Sequence, residues 1–270
     1  MPTLPRRLLL SAPALLLAAP ARAVTLNEAA LTQGGFVLGR AAPGTRLSLD
    51  GRAVRVSPAG DFAFGFGRDH AAQARLVITP ATGTAETRVL NIAKRQWPTE
   101  SISGLPPAQV TPDAETLTRI AREREKLSGV RAIETNLTGF TEGFVRPAPG
   151  RISGVFGSQR ILNGQPRQPH YGLDFAAPTG TPVLASAAGR VTLADEFHFF
   201  GKLIVLDHGH GVNSLYAHLS EISVREGEPI AKSRRIGAIG MTGRVTGPHL
   251  HFSLSWFLLW VDPQPVVLPA

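Results

Sequence analysis

Residues 247–256 read GPHLHFSLSW and place two of the eight histidines of the chain on one short apolar segment. Its alternating apolar and polar residues predict a β-strand. Successive side chains of a strand point to opposite faces, so His249 and His251 share one face while Leu250 lies on the other. With a rise of roughly 3.3 Å per residue, the two imidazoles lie about 6 to 7 Å apart. One of them can therefore bind a metal ion while its neighbour reaches a substrate.

The segments around this strand show similar patterns. Beyond about residue 144, further β-type runs are separated by Gly-rich turns: RISGVFG, TPVLASAAGRVTLAD, KLIVLDHG and VNSLYAHLS. From Val24 to about Arg95, short runs such as GFVLGR and ARLVITP recur at intervals of about 8 to 12 residues between Gly, Pro, Asp and Asn. These patterns predict an all-β protein, in which a small antiparallel β-sandwich of immunoglobulin type precedes a second all-β domain.

One helix is predicted between the two β regions. It follows a stretch rich in Pro, Ser and Thr, QWPTESISGLPPAQVTP, which is typical of a linker. The helix is expected to run from Pro112 or Asp113 to Leu127. Thr111 is its expected N-cap and Gly129 its expected end. Because it contains few large apolar residues, we expect it to lie on the surface.

The first 23 residues, MPTLPRRLLLSAPALLLAAPARA, have the features of a secretory signal peptide. Two arginines precede an apolar run from Leu8 to Ala19, and the small residues around Arg22 predict cleavage after Ala23. The run is shorter than the roughly 20 residues that span a bilayer, which disfavours a transmembrane anchor. We therefore expect an exported protein, periplasmic or secreted, with no stable membrane insertion after cleavage.

Together these patterns predict four segments along the chain. They are a signal peptide (1–23), the β-sandwich domain (24–95), a linker with one helix (96–145) and the second β domain (146–264). The only histidine of the sandwich, His70, is expected in a loop without catalytic partners. The sandwich is therefore predicted to be a binding or spacing module.

Composition narrows the partners and the metal ligands that the chain can use. The formal net charge of +8 falls to +5 once the three arginines of the signal peptide are removed. A basic protein suits a polyanionic surface such as a cell wall, but there is no long Lys/Arg run, and nucleic acid is not an expected partner of an exported protein. The chain has no cysteine, so any metal ion must be held by His, Asp or Glu. The oligomeric state is left open.

Further candidate ligands lie upstream of the HLH strand. His170 and Asp174, in HYGLD, share a face if that segment is extended. Imidazole and carboxylate form a common zinc donor set, and three protein ligands leave a fourth position for water, as in catalytic zinc sites. His218, in LYAHLS, supplies another imidazole 44 residues after Asp174 and 31 before His249. Each residue alone is weak evidence, and it is their order along the chain that predicts a metal site.

Three segments carry a resemblance to a known family: HYGLDFAAPTGTPVLASAAGRV, VLDHGHGVNSLYAHLS and IGMTGRVTGPHLHFSLSW. They resemble the M23 family of zinc metalloendopeptidases, the lysostaphin and LytM type, over roughly residues 146–264. The resemblance implies that His170, Asp174 and His251 bind Zn²⁺ and that His218 and His249 are the catalytic imidazoles. It also implies an antiparallel β-sheet with a groove over the metal. The implied substrates are peptide crosslinks or stem peptides of bacterial peptidoglycan.

A second H-x-H pair, His208 and His210 in DHGHG, competes with the first. The resemblance places this pair at a hairpin turn, and the two neighbouring glycines are typical of a mobile turn that is too loose to hold a metal ion. His198, in DEFHFFG, is likewise expected to be a loop residue. We expect all three histidines to lie outside the metal site.

Several questions stay open at the level of the sequence. The chain contains no H-E-x-x-H motif, so His218 and His249 are the candidates for the general base and for stabilising the oxyanion, and the sequence does not divide these roles. Some proteins of this fold have lost zinc ligands and only activate other wall hydrolases, which makes a non-catalytic activator the alternative function. The bond that is cleaved is open as well. So is the role of the sandwich, which could recognise the wall, cover the groove or act as a spacer.

Overall fold

The computed structural model of the protein describes residues 24–104, 106 and 110–268. Strands predominate among them, which confirms the all-β prediction. The predicted signal peptide, residues 1–23, lies outside the described residues. Within the described part of the chain, no helix is both long enough and apolar enough to cross a membrane.

The N-terminal region forms two antiparallel sheets. Their seven strands are β1 (Val24–Leu26), β2 (Phe36–Ala41), β3 (Arg46–Leu49), β4 (Arg52–Val54), β5 (Asp61–Gly65), β6 (Gln73–Thr79) and β7 (Glu86–Asn91). One sheet has the order β1-β2-β5 and the other β4-β3-β6-β7. Alternate residues face inward, as the period of a strand requires: Ala74, Leu76 and Ile78 of β6 are buried, whereas their neighbours are not.

Part of the predicted linker is a strand. β8 (Thr99–Ile102) runs parallel to β10 (Gln159–Leu162), which pairs antiparallel with β11 (Gln165–Pro166). The sequence had predicted only one helix as regular structure in the segment 96–145. Because β8 pairs with residues about 60 positions away, its pairing is not visible in the local composition.

A ten-stranded antiparallel sheet forms most of the C-terminal region. Its strands are β9 (Arg151–Gly154), β12 (Leu173–Ala176), β13 (Pro182–Leu184), β14 (Gly189–Phe197), β15 (Gly201–Gly209), β16 (Val212–Ile222), β17 (Pro229–Ile230), β18 (Arg235–Ile239), β19 (His249–Trp256) and β20 (Leu259–Val261). Hydrogen-bonded neighbours follow the order β17-β14-β15-β16-β19-β12-β9, and β13, β18 and β20 attach beside this path. β15, β16 and β19 lie at its centre, where nearly every side chain is buried.

The two β regions share one hydrophobic core. Buried side chains of the N-terminal sheets and of the main sheet belong to a single cluster. Phe64 of β5 meets Trp256 of β19 edge-on, with 6.5 Å between ring centroids. Arg95 forms a 2.8 Å salt bridge with the buried Asp262, which follows β20. The N-terminal region therefore packs against the part of the main sheet formed by β19 and β20.

The predicted helix is present as α1 (Ala114–Ala132), but its ends differ from the prediction. The Asp113 carboxylate accepts a hydrogen bond from the Thr116 backbone N–H at 2.8 Å, so Asp113 and not Thr111 is the N-cap. Gly129 lies inside the helix and does not end it. The described residues also contain a second helix, α2 (Gln264–Val267), and 3₁₀ turns at Glu28–Ala30 and Gly139–Glu142.

α1 packs on the main sheet, whereas the sequence had suggested a surface helix. Leu127 is buried in a cluster with residues of β14, β15 and β16. Near the C-terminal end of the helix, the buried guanidinium of Arg131 lies 3.3 Å from the ring centroid of Trp260. Full burial of an aliphatic side chain such as Leu127 contributes roughly 1.5 to 3 kcal/mol. These contacts lie on both sides of Gly129, which explains why one glycine does not end the helix.

Candidate metal centre

The three predicted ligands converge at the centre of the main sheet. Asp174 of β12 and His251 of β19 are direct cross-strand partners. Such partners have Cβ atoms about 4.5 to 5.5 Å apart, so the strand register alone brings the carboxylate to the imidazole. His170 precedes β12, and the predicted extended H-x-x-x-D segment is therefore only partly a strand. Backbone hydrogen bonds of His170 with Ser158 and Gly157, both 2.8 Å, hold it at the site.

The three side chains direct one atom each toward a common point. His170 Nε2 lies 3.0 Å from Asp174 Oδ1 and 2.9 Å from His251 Nδ1. The distance from Asp174 Oδ1 to His251 Nδ1 is also 2.9 Å. Zinc bonds of about 2.0 to 2.1 Å in a tetrahedral site separate neighbouring ligand atoms by about 3.3 Å. The triangle therefore has nearly the size that a tetrahedral ion requires, and all three residues are buried.

Hydrogen bonds behind the ligands orient the imidazoles. His170 Nδ1 lies 3.0 Å from the Val155 carbonyl oxygen, which can only accept, so Nδ1 carries the proton and Nε2 directs a lone pair into the triangle. His251 Nε2 lies 2.8 Å from the Ser253 hydroxyl. The lone pair of His170 Nε2 thus faces the Asp174 carboxylate at 3.0 Å. Two acceptors at this distance repel each other unless a cation lies between them, so the donor set fits a metal ion.

Electrostatics in the triangle favour the protonation states that bind metal. Burial lowers the pKa of His251 to about 4, so its imidazole is neutral near pH 7. Burial alone would raise the pKa of Asp174, but the neighbouring His170 and His251 outweigh burial and hold that pKa well below its usual range. Neutral imidazoles and ionised carboxylates are the forms in which these side chains coordinate metals.

Two glycines leave the space that the ligands occupy. A Cβ at Gly154 of β9 would lie 2.4 Å from Asp174 Oδ2, and a Cβ at Gly172 would lie 2.5 Å from His251 Cε1. Any side chain at either position would displace a ligand. Neither glycine was among the predicted site residues, although Gly172 stands between His170 and Asp174 in HYGLD.

His218, one of the two predicted catalytic histidines, lies beside the ligands. It follows Ala217, the cross-strand partner of His251, at an irregularity in the pairing of β16, and its φ of 63° is in the left-handed region. His218 Nδ1 lies 2.9 Å from the Thr242 carbonyl oxygen, so Nδ1 donates and Nε2 keeps an accepting lone pair. Burial, together with the nearby His251 and His249, lowers the pKa of His218 well below its usual value.

His249, the second predicted catalytic histidine, lies close to His218. Their ring centroids are 4.8 Å apart. His249 Nδ1 lies 2.9 Å from the Gly247 carbonyl oxygen, and its Nε2 lies 4.0 Å from Asp174 Oδ2. The structure thus brings all five predicted residues together. Their division into metal ligands and catalytic groups stays a prediction.

The rival H-x-H pair is placed differently. His208 is fully buried in β15, where one ring nitrogen lies 2.7 Å from a backbone carbonyl oxygen and the other 2.7 Å from the Ser214 hydroxyl. His210 occupies the turn between β15 and β16, and its Nδ1 lies 3.1 Å from the Arg55 carbonyl oxygen. The predicted hairpin turn is present, but it is buried rather than loose. His198 lies in the turn between β14 and β15, as predicted.

A cleft of about 410 Å³ opens beside the ligands. His170 and His251 lie on one side of it, and α1 contributes Leu117 and Ile120 on another. None of the described residues in 24–95 lines the cleft, so the linker helix and not the sandwich borders the site. The position of α1 beside the site was not among the predictions from sequence, although the apolar residues of this helix recur at the spacing of one helix face.

Comparisons with known proteins agree with this site. Residues 168–263, which contain all five histidine and aspartate candidates, match the sequence profile of Peptidase family M23. The peptidoglycan DD-endopeptidase ShyA of Vibrio cholerae is 44% identical over 105 residues, which cover 38% of this chain and 24% of ShyA. The DD-carboxypeptidase/endopeptidase Mpg of Neisseria meningitidis is 42% identical over 120 residues, which cover 44% of this chain and 28% of Mpg. The chain thus spans about a quarter of the length of these two relatives.

A solved structure resembles a larger part of the chain. It is the crystal structure of a Pseudomonas aeruginosa protein described as an M23 peptidase, which is 28% identical. The match has a TM-score of 0.64 and covers 86% of this chain and 93% of that chain, so it includes much of the N-terminal region. The matching profile, the identity to these relatives and the geometry of the site together show a domain of peptidase family M23 at residues 168–263.

Proposed function

We propose that the protein is a zinc-dependent endopeptidase that hydrolyses DD-peptide bonds in bacterial peptidoglycan. The observation that carries this proposal is the buried triangle of His170, Asp174 and His251, with two further imidazoles at its edge. The names of ShyA and Mpg point to DD-peptide bonds of the cell wall. Peptide crosslinks or stem peptides of peptidoglycan are therefore the proposed substrates.

Zinc is the proposed ion because the donor set suits it. Two imidazoles and one carboxylate are a common ligand set of catalytic zinc, and three protein ligands leave a coordination position open toward the cleft. A zinc ion held by His170, Asp174 and His251 would supply Lewis acidity that activates water and polarises a peptide carbonyl. The other two imidazoles are then available for moving protons and for stabilising charge.

The hydrogen bonds suggest how these two imidazoles act. The Nδ1–H of His218 is committed to the Thr242 carbonyl, so its Nε2 is the atom that can take a proton from water and return it to the leaving amine. We propose that His249, whose ring centroid is 4.8 Å away, stabilises negative charge that develops on the carbonyl oxygen by donating an Nε2–H, which its imidazolium form carries while Nδ1–H donates to Gly247. We propose that the two residues act as a pair, with His218 as the proton acceptor.

Purified, zinc-loaded protein incubated with isolated sacculi tests the proposed activity. Mass analysis should show released fragments cut at the D-alanyl crosslinks, and Asp174→Ala should release none. An activator that binds the wall without cutting it would release nothing on its own and would accelerate a second hydrolase. That outcome, obtained with zinc bound, would contradict the proposal.

We also propose the domain division and the location that the sequence predicted. The proposed domains are the sandwich (24–95), the linker with its helix (96–145) and the peptidase domain (146–264). The protein would be exported and would act on the wall in the periplasm or outside the cell. Because the core is shared, a fragment that begins at Thr111 should have a Tm lower by about 10 °C or more than one that begins at Val24. Thermal melts of the two zinc-loaded proteins measure this difference, and equal Tm values would show that the peptidase domain is independent.

A further inference from the structure

Four arginines lie around the cleft beside the metal site. They are Arg124 of α1, Arg160 of β10, Arg167 after β11 and Arg244 between β18 and β19. Their positive charges act on one another: burial and, to a smaller extent, the charges of the other three arginines together lower the pKa of Arg244 to about 10. Like charges this close disfavour the folded state unless something compensates them. The cluster therefore requires an explanation.

The carboxylates that line or border the cleft do not neutralise the cluster. Glu123 of α1 is engaged by Arg119 at 2.6 Å and accepts hydrogen bonds from the His198 backbone N–H. Among the described residues, no carboxylate lies within salt-bridge distance of Arg124 or Arg167. Positive charge is therefore in excess where the cleft meets the metal site.

Arg160 has two carboxylates near it but is not satisfied by them. Its Nη2 lies 3.6 Å from Asp174 Oδ2, and its Nε lies 3.5 Å from Glu100 Oε2. Neither distance is that of a charge-assisted hydrogen bond, which is about 2.7 to 2.9 Å. The Nε of Arg160 is buried and has no hydrogen-bond partner among the described residues.

Arg167 shows the same feature. Its Nη2 donates to the Val110 carbonyl oxygen at 2.9 Å, which holds the side chain in place. Its Nε is nevertheless buried without a partner in the described part of the chain. Buried N–H groups are almost always paired, and leaving a charged one unpaired is unfavourable. Arg167 thus keeps a charged N–H group without an acceptor among the described residues, and Arg160 keeps one that Glu100 Oε2 approaches only to 3.5 Å.

We propose that Arg160, Arg167 and Arg244 bind a free carboxylate of the peptide substrate next to the scissile bond. This inference rests on the proposed DD-peptidase function and specifies its substrate. A guanidinium presents a planar fork that matches a carboxylate, so arginine is the residue expected for this task. Nη2 of Arg160 lies 3.6 Å from Asp174, so the anion site begins at the edge of the ligand triangle.

The chemistry of a DD-peptide bond supplies a carboxylate at this place. The bond joins a D-alanyl carbonyl to the amine of a second D centre. Where that centre keeps its own carboxyl group, the carbon atom bonded to the scissile nitrogen bears a negatively charged carboxylate. A carbonyl held over the triangle would thus bring this carboxylate toward the arginines. The enzyme should prefer substrates in which the carboxyl group on the amine side of the bond is free.

The test compares two crosslinked peptide dimers that differ only in whether this carboxyl group is free or amidated. The wild-type protein should have a kcat/KM about 10- to 100-fold higher for the free acid, which is the usual effect of hydrogen bonds to a charged group. Arg167→Gln and Arg244→Gln should each remove most of that preference, because kcat/KM for the acid should fall more than kcat/KM for the amide. Arg160 is left unchanged because it contacts Asp174.

Two controls separate charge recognition from structural damage. Arg235→Gln, at an exposed arginine that pairs with Glu221 at 2.9 Å, should retain the full preference. Arg167→Lys keeps the positive charge but loses the planar guanidinium that can bind both carboxylate oxygens. It should therefore show a preference for the acid between that of the wild type and that of Arg167→Gln. Raising the salt concentration should weaken the preference for the acid because ions screen the attraction.

Binding provides a readout that does not depend on hydrolysis. Calorimetry should show that D-alanyl-D-alanine binds the wild-type protein more tightly than its amide does, and that Arg167→Gln abolishes the difference. If the wild type cleaves the acid and the amide equally well, the arginine proposal is wrong while the peptidase function stands. If it cleaves neither, the proposed function fails, and equal binding of the two dipeptides would then refute the arginine proposal as well.

Discussion

Two H-x-H pairs lie in one sheet, where β16 separates the strands that carry them, yet only one pair adjoins a metal-binding triangle. His249 and His251 belong to an extended strand, so both imidazoles reach the same side, where Asp174 lies opposite. His208 is the penultimate residue of β15, and the next two residues, Gly209 and His210, have positive φ values of 94° and 54°, so the chain turns after His208. The comparison teaches that identical spacing produces a shared face only when the backbone is extended.

The polar neighbours of the two pairs differ as much as their backbones do. Both ring nitrogens of His208 are hydrogen-bonded within the sheet, and no carboxylate joins them in the interactions described. His251, in contrast, has Asp174 Oδ1 at 2.9 Å and His170 Nε2 at 2.9 Å. The ring nitrogens of His208 are thus fully hydrogen-bonded to neutral groups. His251 instead lies beside the Asp174 carboxylate, and a cation can bind between the two.

Replacing His251 by Ala should have the largest effect. It removes one of three ligand atoms, so zinc content and hydrolysis should both fall more than the roughly 10- to 100-fold that loss of a supporting partner costs. His208→Ala, the matched change in the other pair, should keep its zinc. Metal analysis of both purified variants, beside their rates on peptidoglycan, measures the difference. A folded His208→Ala protein without zinc would remove the distinction between the pairs.

Replacing His218 or His249 by Ala should have the next largest effect. All three ligands remain, so zinc should stay bound, while hydrolysis slows by about 10² to 10⁴, the usual contribution of a positioned acid or base. The same metal and rate measurements apply. If His249→Ala loses zinc and His251→Ala retains it, the roles of the two histidines in HLH must be exchanged.

The buried His208 should make stability depend on pH. Burial lowers its pKa to about 4, whereas the unfolded chain takes up a proton on this residue below about pH 6.5. Protons therefore favour the unfolded state between these two pH values, and this residue should cost about 2 kcal/mol of stability between pH 7 and pH 5. Urea unfolding at both pH values should show a smaller loss for His208→Gln than for the wild type. An equal loss in both proteins would indicate that His208 titrates normally.

The smallest effect is expected at the turn itself. His210 and Gly211 both have positive φ values, 54° and 76°, as in a two-residue type I′ turn, where Asn at the first position is favoured. His210→Asn should therefore keep the turn, lose the hydrogen bond to Arg55 and the contact with the Phe140 ring, and lower the free energy of unfolding by about 1 kcal/mol. His210→Val should destabilise more because a β-branched residue tolerates positive φ poorly. Urea unfolding ranks the two, and the reverse order would contradict the turn assignment.

The five site residues were predictable because their geometry is local or set by strand pairing. The alternation along β19 places His249 and His251 on one face, and the sequence shows that alternation directly. The order H-x-x-x-D, His, H-x-H then led to the family, whose ligand set includes Asp174. A strand register that pairs Asp174 with His251 follows from the fold and not from either segment alone.

The features that the sequence missed depend on contacts between distant segments. The strand β8 reads TESI, which has no apolar alternation, and it forms because β10 offers it an edge. The role of Gly172 appears only when His251 is placed beside it. The arginines Arg160 and Arg244 are 84 positions apart and meet only in the folded cleft. Local composition contains none of this information.

The left-handed backbone of His218 has a consequence for how this site can change during evolution. A non-glycine residue at φ 63° costs about 1 to 3 kcal/mol, and glycine would relieve that strain. The substitution that best suits the backbone at this position is therefore one that removes the imidazole. If His218 carries out the proposed proton transfer, selection for stability and selection for the reaction act on this position in opposite directions.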